Sequence, residues 1–171
     1  MFEIGDYVIY GNEGVCKIEN IGPMKLTGAL KKKLYYTLVP LYTRDSKVYT
    51  PVDNEKIIMR SILTRDEAME LIDNIEDIDI LWVPEEKNRE TIFKEALKTC
   101  ECKELIKIIK TLYLKKENRL AEGKKITASD EKYLHLAEDK LYEELAISLD
   151  MKKENMVDYI ASRVSDDKDS E

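Results

Sequence analysis

The hydrophobic period of the chain changes near residue 60, and that change limits the fold more than any other feature of the sequence. Up to that point apolar and β-branched residues come in short runs broken by turn residues, which is the pattern of strands. The candidates are 6–10 (Asp-Tyr-Val-Ile-Tyr), 14–21, 33–41, 46–52 and 57–59. Gly11-Asn12-Glu13-Gly14 supplies the turn between the first two, because Gly and Asn tolerate positive φ. Short strands packed into so little chain cannot make a broad open sheet without leaving edges exposed. They are expected to curl into a small barrel.

Beyond residue 60 the apolar residues fall at helical spacing. Thr64-Arg65-Asp66-Glu67 has the capping-box form, and Ala68, Leu71, Ile72 and Ile75 follow, which predicts a helix near 64–76. The acidic stretch Glu76-Asp77-Ile78-Asp79 ends it, and Leu81-Trp82-Val83-Pro84 reads as a connection. Pro84 is placed to open a second helix running to about Leu97, since a first-turn residue needs no N–H. A third helix over 102–120 carries Leu105, Ile108, Ile109 and Leu112 on one face and Lys103, Lys107 and Lys110 on another; Gly123 stops it. Thr127-Ala128-Ser129-Asp130 repeats the capping pattern ahead of a fourth helix whose buried side is Leu134, Ala137, Leu141, Leu145 and Leu149. A short fifth is expected over 153–163, and residues 165–171 are polar enough to be read as a disordered tail. The fold class is therefore α+β: a small amino-terminal β-barrel over 1–60, then an all-α helical bundle over 61–164.

Charge is segregated along the chain. The net charge is −7, yet residues 1–60 carry +2, 61–86 carry −8, 87–125 carry +6 and 126–171 carry −7. An acidic protein does not coat nucleic acid indiscriminately, but a basic island of this kind suits a partner approached at one point. No apolar run is long enough to span a bilayer and the first residues lack a signal-peptide pattern, so a cytoplasmic protein without a membrane partner is expected. Cys16, Cys100 and Cys102 are odd in number and are read as reduced thiols. With His135 the single histidine, the ligands for a tetrahedral metal are lacking, and no metal or other cofactor is expected. The sequence holds no Walker loop, nucleophile elbow, H-E-x-x-H pair or dinucleotide fingerprint, and His135 between Leu134 and Leu136 reads as an ordinary helix residue. No catalytic residue is expected; the chain reads as a binding protein.

Three groups of residues carry a resemblance to a known family. Phe2-x-x-Gly5-Asp6-x-Val8-x-Tyr10 is followed by Gly14-Val15, although Gly11 and Glu13 stand where members commonly have Pro and His. Tyr49-x-Pro51-Val52-Asp53-Asn54 forms the second group. The third comprises Leu105-Ile106-Lys107-x-Ile109-Lys110-x-Leu112-Tyr113, Leu120-Ala121-x-Gly123-Lys124-Lys125, Asp130-Glu131-Lys132-Tyr133 and Leu141-x-Glu143-Glu144. In order and spacing these resemble the CarD/CdnL family of transcriptional regulators, whose amino-terminal domain is shared with the transcription-repair coupling factor.

The resemblance implies a Tudor-like barrel that binds the β subunit of RNA polymerase, and a helical domain that touches promoter DNA at the upstream edge of the transcription bubble. It implies no nucleotide and no metal. An exposed barrel strand edge would meet a polymerase strand. Where the family places arginines on the barrel, this chain holds Met24 and Tyr49 with Lys25 adjacent, so Lys25, Tyr49 and Pro51 are the expected polymerase-binding residues. In the family a tryptophan wedges into the minor groove, backed by basic residues. The only tryptophan here is Trp82, followed by Lys87, Arg89 and Lys94, with Lys103, Lys107 and Lys110 as a second rank. The plainer readings are that Trp82 is a core residue and that the lysine-rich faces are merely solvated. The expected function is stabilisation of the open complex by a monomer. The alternative is a polymerase-bound protein–protein adaptor that never touches DNA.

Overall fold

The short apolar runs of the first sixty residues do form strands in the computed structural model, which describes residues 1–24 and 33–169. The strands are β1 (Tyr7–Tyr10), β2 (Gly14–Pro23), β3 (Leu34–Pro40), β4 (Val48–Pro51) and β5 (Met59–Ser61). They pair antiparallel in the order β4-β3-β2-β1-β5. Gly11–Glu13 forms a single 3-10 turn, and Gly11 at φ 45° and Gly14 at φ 71° occupy the left-handed geometry that joins β1 to β2. The β2–β3 register slips between Ile18 and Asn20, a bulge that bends β2. Val8, Tyr10, Cys16, Ile18, Tyr36 and Leu38 make a buried cluster on one face, with Phe2, Val48, Val52 and Met59 packed against it. Burial and the nearby Glu13 carboxylate push the Cys16 thiol up to about 12, which keeps it a protonated, inert core residue.

The last strand lies at 59–61 rather than the expected 57–59. Asn54 explains the shift: its carboxamide oxygen accepts from the N–H groups of Lys56 and Ile57, and its amide nitrogen donates to the Ile57 carbonyl. This side-chain turn holds 55–57 out of the ladder, leaving Ile57 and Ile58 exposed despite their apolar character.

The second compact unit, which begins at Leu63, is helical over its described residues. Its helices are α1 (Arg65–Asp73), α2 (Arg89–Lys98), α3 (Cys102–Ala121), α4 (Ala128–Ser148) and α5 (Met156–Asp169). Thr64 and Glu67 form the complete capping box at the start of α1, satisfying the Thr64 and Glu67 N–H groups reciprocally. The α1 helix ends at Asp73 and passes into a 3-10 turn at Ile75–Asp77. The second helix opens at Arg89, not at Pro84, because the chain stays extended through Glu85 while Ile78 and Leu81 pack on the core. The last helix continues past 163 to Asp169. Each exposed polar residue there still gains a backbone hydrogen bond, and the Arg163–Asp73 and Lys168–Glu76 ion pairs tie α5 to α1 and the turn after it.

Leu105, Ile106, Ile108, Ile109 and Leu112 of α3 interlock with Leu134, Ala137, Leu141 and Leu145 of α4 to form the core of this unit. Fully burying each such leucine or isoleucine contributes about 1.5–3 kcal/mol. Phe93 of α2 stacks at a tilt on Tyr133 of α4, with ring centroids 5.6 Å apart. Glu144 is buried in this core, where it accepts from the Leu63 N–H at 2.9 Å and the Cys102 thiol at 3.3 Å. It thereby fastens the entry to α1 and the first turn of α3 onto α4. Among the described residues no helix is long and apolar enough to cross a membrane.

Candidate functional site

Two surfaces, one on each unit, hold the residues singled out from the sequence. On the strand unit β4 ends the sheet, so among the described residues one of its sides has no ladder partner. The Val52 N–H donates to the Leu34 carbonyl at 3.0 Å, and residues paired across an antiparallel ladder alternate in direction. Thr50 and Val48 therefore also bond inward to β3, while Tyr49 and Pro51 turn their backbone groups off the sheet. Proline has no N–H to leave unpaired there, which is why it is tolerated on such an edge. The edge thus offers the Tyr49 N–H and two carbonyls to another strand.

The Tyr49 ring, half exposed, lies with Met24 and Tyr35 along a shallow groove over the outer side of β2, β3 and β4. The groove is rimmed by the Lys47–Glu19 ion pair at 2.6 Å, and the Glu19 hydrogen bond holds the Lys47 ammonium above its ordinary range. Met24 and Tyr49, far apart in sequence, are brought together. Lys25 lies outside the described residues.

On the helical unit Trp82 sits in the extended segment between α1 and α2 and is 81% exposed, so it is no part of the helical core. Its neighbours alternate: Ile80 is exposed, whereas Leu81 packs on the core and its N–H donates to the Thr111 hydroxyl of α3 at 2.9 Å.

The basic candidates divide into two groups. Lys87, Lys94 and Lys103 are exposed, with Lys87 3.0 Å from Glu85. Arg89, Lys107 and Lys110 are engaged within the unit. The Lys110 ammonium donates to the carbonyls of Glu76 (3.0 Å) and Ile78 (2.5 Å), and Lys107 pairs with Glu104 at 3.0 Å. Arg89 contacts Glu86 and lies 2.7 Å from the buried carboxylate of Asp130. Lys103 and Lys107 also line a groove beside Glu67, Glu70, Asp77 and Asp79, whose carboxylates offset their charge toward a phosphate.

Two residues at this surface, Thr111 and Lys115, went unmarked in the sequence, and Asp130 was marked only for its place in the capping pattern and in the family resemblance. Asp130 is fully buried, with Lys115 at 3.1 Å in addition to Arg89; these contacts are ionic rather than well-aligned hydrogen bonds. Lys115 also reaches Glu86 at 3.2 Å, and that bond, with Arg89, holds the Glu86 carboxyl below the ordinary carboxylate range. The structural signal at Asp130 was the capping pattern at Thr127. Its hydroxyl does accept from the Asp130 N–H, but the Asp130 carboxylate turns inward to the cations.

A five-stranded antiparallel sheet with an edge strand beside an aromatic groove is an arrangement suited to strand addition by a partner. Residues 2–63, nearly the whole of the amino-terminal unit, match the CarD-like/TRCF RID domain family, which supports an RNA-polymerase-interacting module there. No curated protein matches the chain.

Proposed function

We propose that the chain is a transcription regulator that grips the β subunit of RNA polymerase with its amino-terminal unit and stabilises the promoter open complex with Trp82. On this reading the sheet curls into a Tudor-like barrel. In support, Val48 and Val52 at one end of the sheet and Met59 at the other pack on the same buried cluster. The β4 edge, with Tyr49 and Pro51, adds a strand to the polymerase, and the groove holding Met24 and Tyr49 receives its side chains.

The observation that carries the DNA half of the proposal is the exposure of Trp82. A lone tryptophan left 81% in water has surface available for a distorted base step at the upstream edge of the bubble. Lys87 and Lys94 would hold the flanking phosphates, with Lys103 further off; Arg89, Lys107 and Lys110 act inside the protein instead. Tethering by the first unit keeps the second at high local concentration, so weak and sequence-tolerant DNA contacts suffice.

The test is the lifetime of open promoter complexes challenged with heparin. The protein should lengthen it, and Trp82→Ala should abolish most of the gain while leaving polymerase affinity unchanged. An undiminished gain in that variant would overturn the wedge. The adaptor reading is favoured by the internal engagement of three basic candidates; it requires unchanged footprints at the upstream bubble edge when the protein is added.

A further inference from the structure

We infer that Thr111 and Lys110 of α3 are positioning residues for Trp82, stapling the segment that carries it so that the indole is presented on a fixed strap. This rests on the reading of Trp82 as the DNA-contacting group and adds the device that aims it. The upstream staple is double. Lys110 holds the Glu76 and Ile78 carbonyls through its ammonium, and Thr111, its neighbour on the helix, accepts from the Leu81 N–H immediately before Trp82.

The geometry at Thr111 fixes the direction of that bond. Its hydroxyl proton is committed to the Lys107 carbonyl at 2.7 Å, so toward Leu81 the oxygen can only accept. The downstream staple is Glu86, clasped by Arg89 and Lys115, the latter also from α3 and itself anchored on buried Asp130. Only Trp82-Val83-Pro84-Glu85 lies between the staples, and Pro84 removes a further torsional freedom. Both ends of the strap are fastened to one helix, at positions 110–111 and 115, about one turn apart. An exposed side chain carried by a freely moving loop would lose that freedom on docking; one carried by this strap has already lost it.

Because Trp82 is the sole tryptophan, its fluorescence reports the strap without labelling and without DNA. Time-resolved anisotropy on the full chain compares the parent with Thr111→Val, which keeps the shape and removes the acceptor, Thr111→Ser, which keeps the acceptor, and Lys110→Met. Loss of one hydrogen bond from a half-buried donor should shift the docked-to-loose equilibrium of the strap about tenfold. The Val and Met variants should therefore show a larger amplitude of nanosecond depolarisation, and the Ser variant should match the parent. The same two variants should shorten the open-complex lifetime gain at unchanged polymerase affinity.

Unchanged depolarisation in both Thr111→Val and Lys110→Met would overturn the staple. Increased depolarisation with an undiminished lifetime gain, in a system where Trp82→Ala removes that gain, would overturn the positioning role. If Trp82→Ala itself leaves the gain intact, the DNA-contact reading fails, whereas the anisotropy still decides whether the strap is stapled.

Discussion

Removing the charge of Asp130 should destabilise the helical unit more than any other single surface-to-core charge change near the strap. Asp130→Asn keeps the volume and the backbone N–H that donates to the capping Thr127 hydroxyl, so the start of helix α4 is preserved. What it removes is the anion facing Arg89 at 2.7 Å and Lys115 at 3.1 Å. Breaking one side of a buried ion pair costs about 3–5 kcal/mol, because the remaining charge is left uncompensated. Here the cations are 16% and 22% exposed, and both keep Glu86 as a second partner, so the loss belongs at the lower end. About 3 kcal/mol is expected, and for a domain near 100 residues that corresponds to a fall in Tm of roughly 12–20 °C.

Thermal unfolding followed at 222 nm measures it, with the transition of the helical unit read separately from that of the strand unit. A companion variant sharpens the reasoning. Replacing the whole set with apolar residues, Arg89→Met, Lys115→Met and Asp130→Leu together, should recover much of the loss, since the buried charges were costly to desolvate in the first place. A loss below about 0.5 kcal/mol for Asp130→Asn, the size of an ordinary surface change, would refute the claim that the network is buried and coupled.

Other consequences are smaller in scale. Thr64→Ala removes one arm of the α1 capping box and should cost about 0.5–2 kcal/mol in urea unfolding, with Thr64→Ser close to the parent. Burial, followed by the nearby Asp139, raises the Glu138 carboxyl above its ordinary value against the opposing pull of His135 and Lys116. A carboxyl raised in the folded state is destabilising once ionised, so its contribution is present at low pH and lost as pH rises through the folded value. Glu138→Gln should accordingly raise Tm at pH 7 and leave it unchanged below about pH 4, where both forms are neutral; a gain that is equal at both pH values would point to packing instead.

Much of the secondary structure was legible because it is a local property. The capping box at Thr64 and the 3.6-residue spacing of Leu105, Ile108, Ile109 and Leu112 depend on neighbours within a turn, and both appear in the structure as read. The failures are tertiary. Ile57 and Ile58 looked like strand because they are apolar and β-branched, but Asn54 folds the backbone back on itself and delays the ladder to Met59. Asp130 looked like a helix cap, and its burial is caused by cations 41 and 15 positions earlier in the chain. Arg89 and Lys110 looked like ligands for phosphate because a lysine-rich segment gives no sign of which ammonium groups find acceptors at home. Trp82 was ambiguous for the same reason: indoles are buried on average, and only the seating of Leu81 and Ile78 in the core turns this one outward.

The staples bear directly on whether an exposed tryptophan could act at DNA at all. A tryptophan side chain buries about 150–250 Å² at a partner surface, and at about 25 cal/mol per Å² the part left in water here is worth roughly 3–5 kcal/mol. Unstacking a base step costs about a few kcal/mol, so insertion by itself is close to balanced. Ordering a free four-residue segment would add about 1–2 kcal/mol per residue and turn the balance against insertion. With Leu81 bonded to Thr111 and Glu86 clasped by Lys115 and Arg89, the proposed staples would supply much of that ordering before any partner arrives. On the proposed reading, then, the residues that settle whether Trp82 stabilises melted DNA are not those touching the DNA but those on α3 that hold its two flanks. On the same proposal a net charge of −7 is no obstacle: the work at the bubble would fall to one preorganised apolar group and a few lysines, delivered by a unit whose proposed partner is protein.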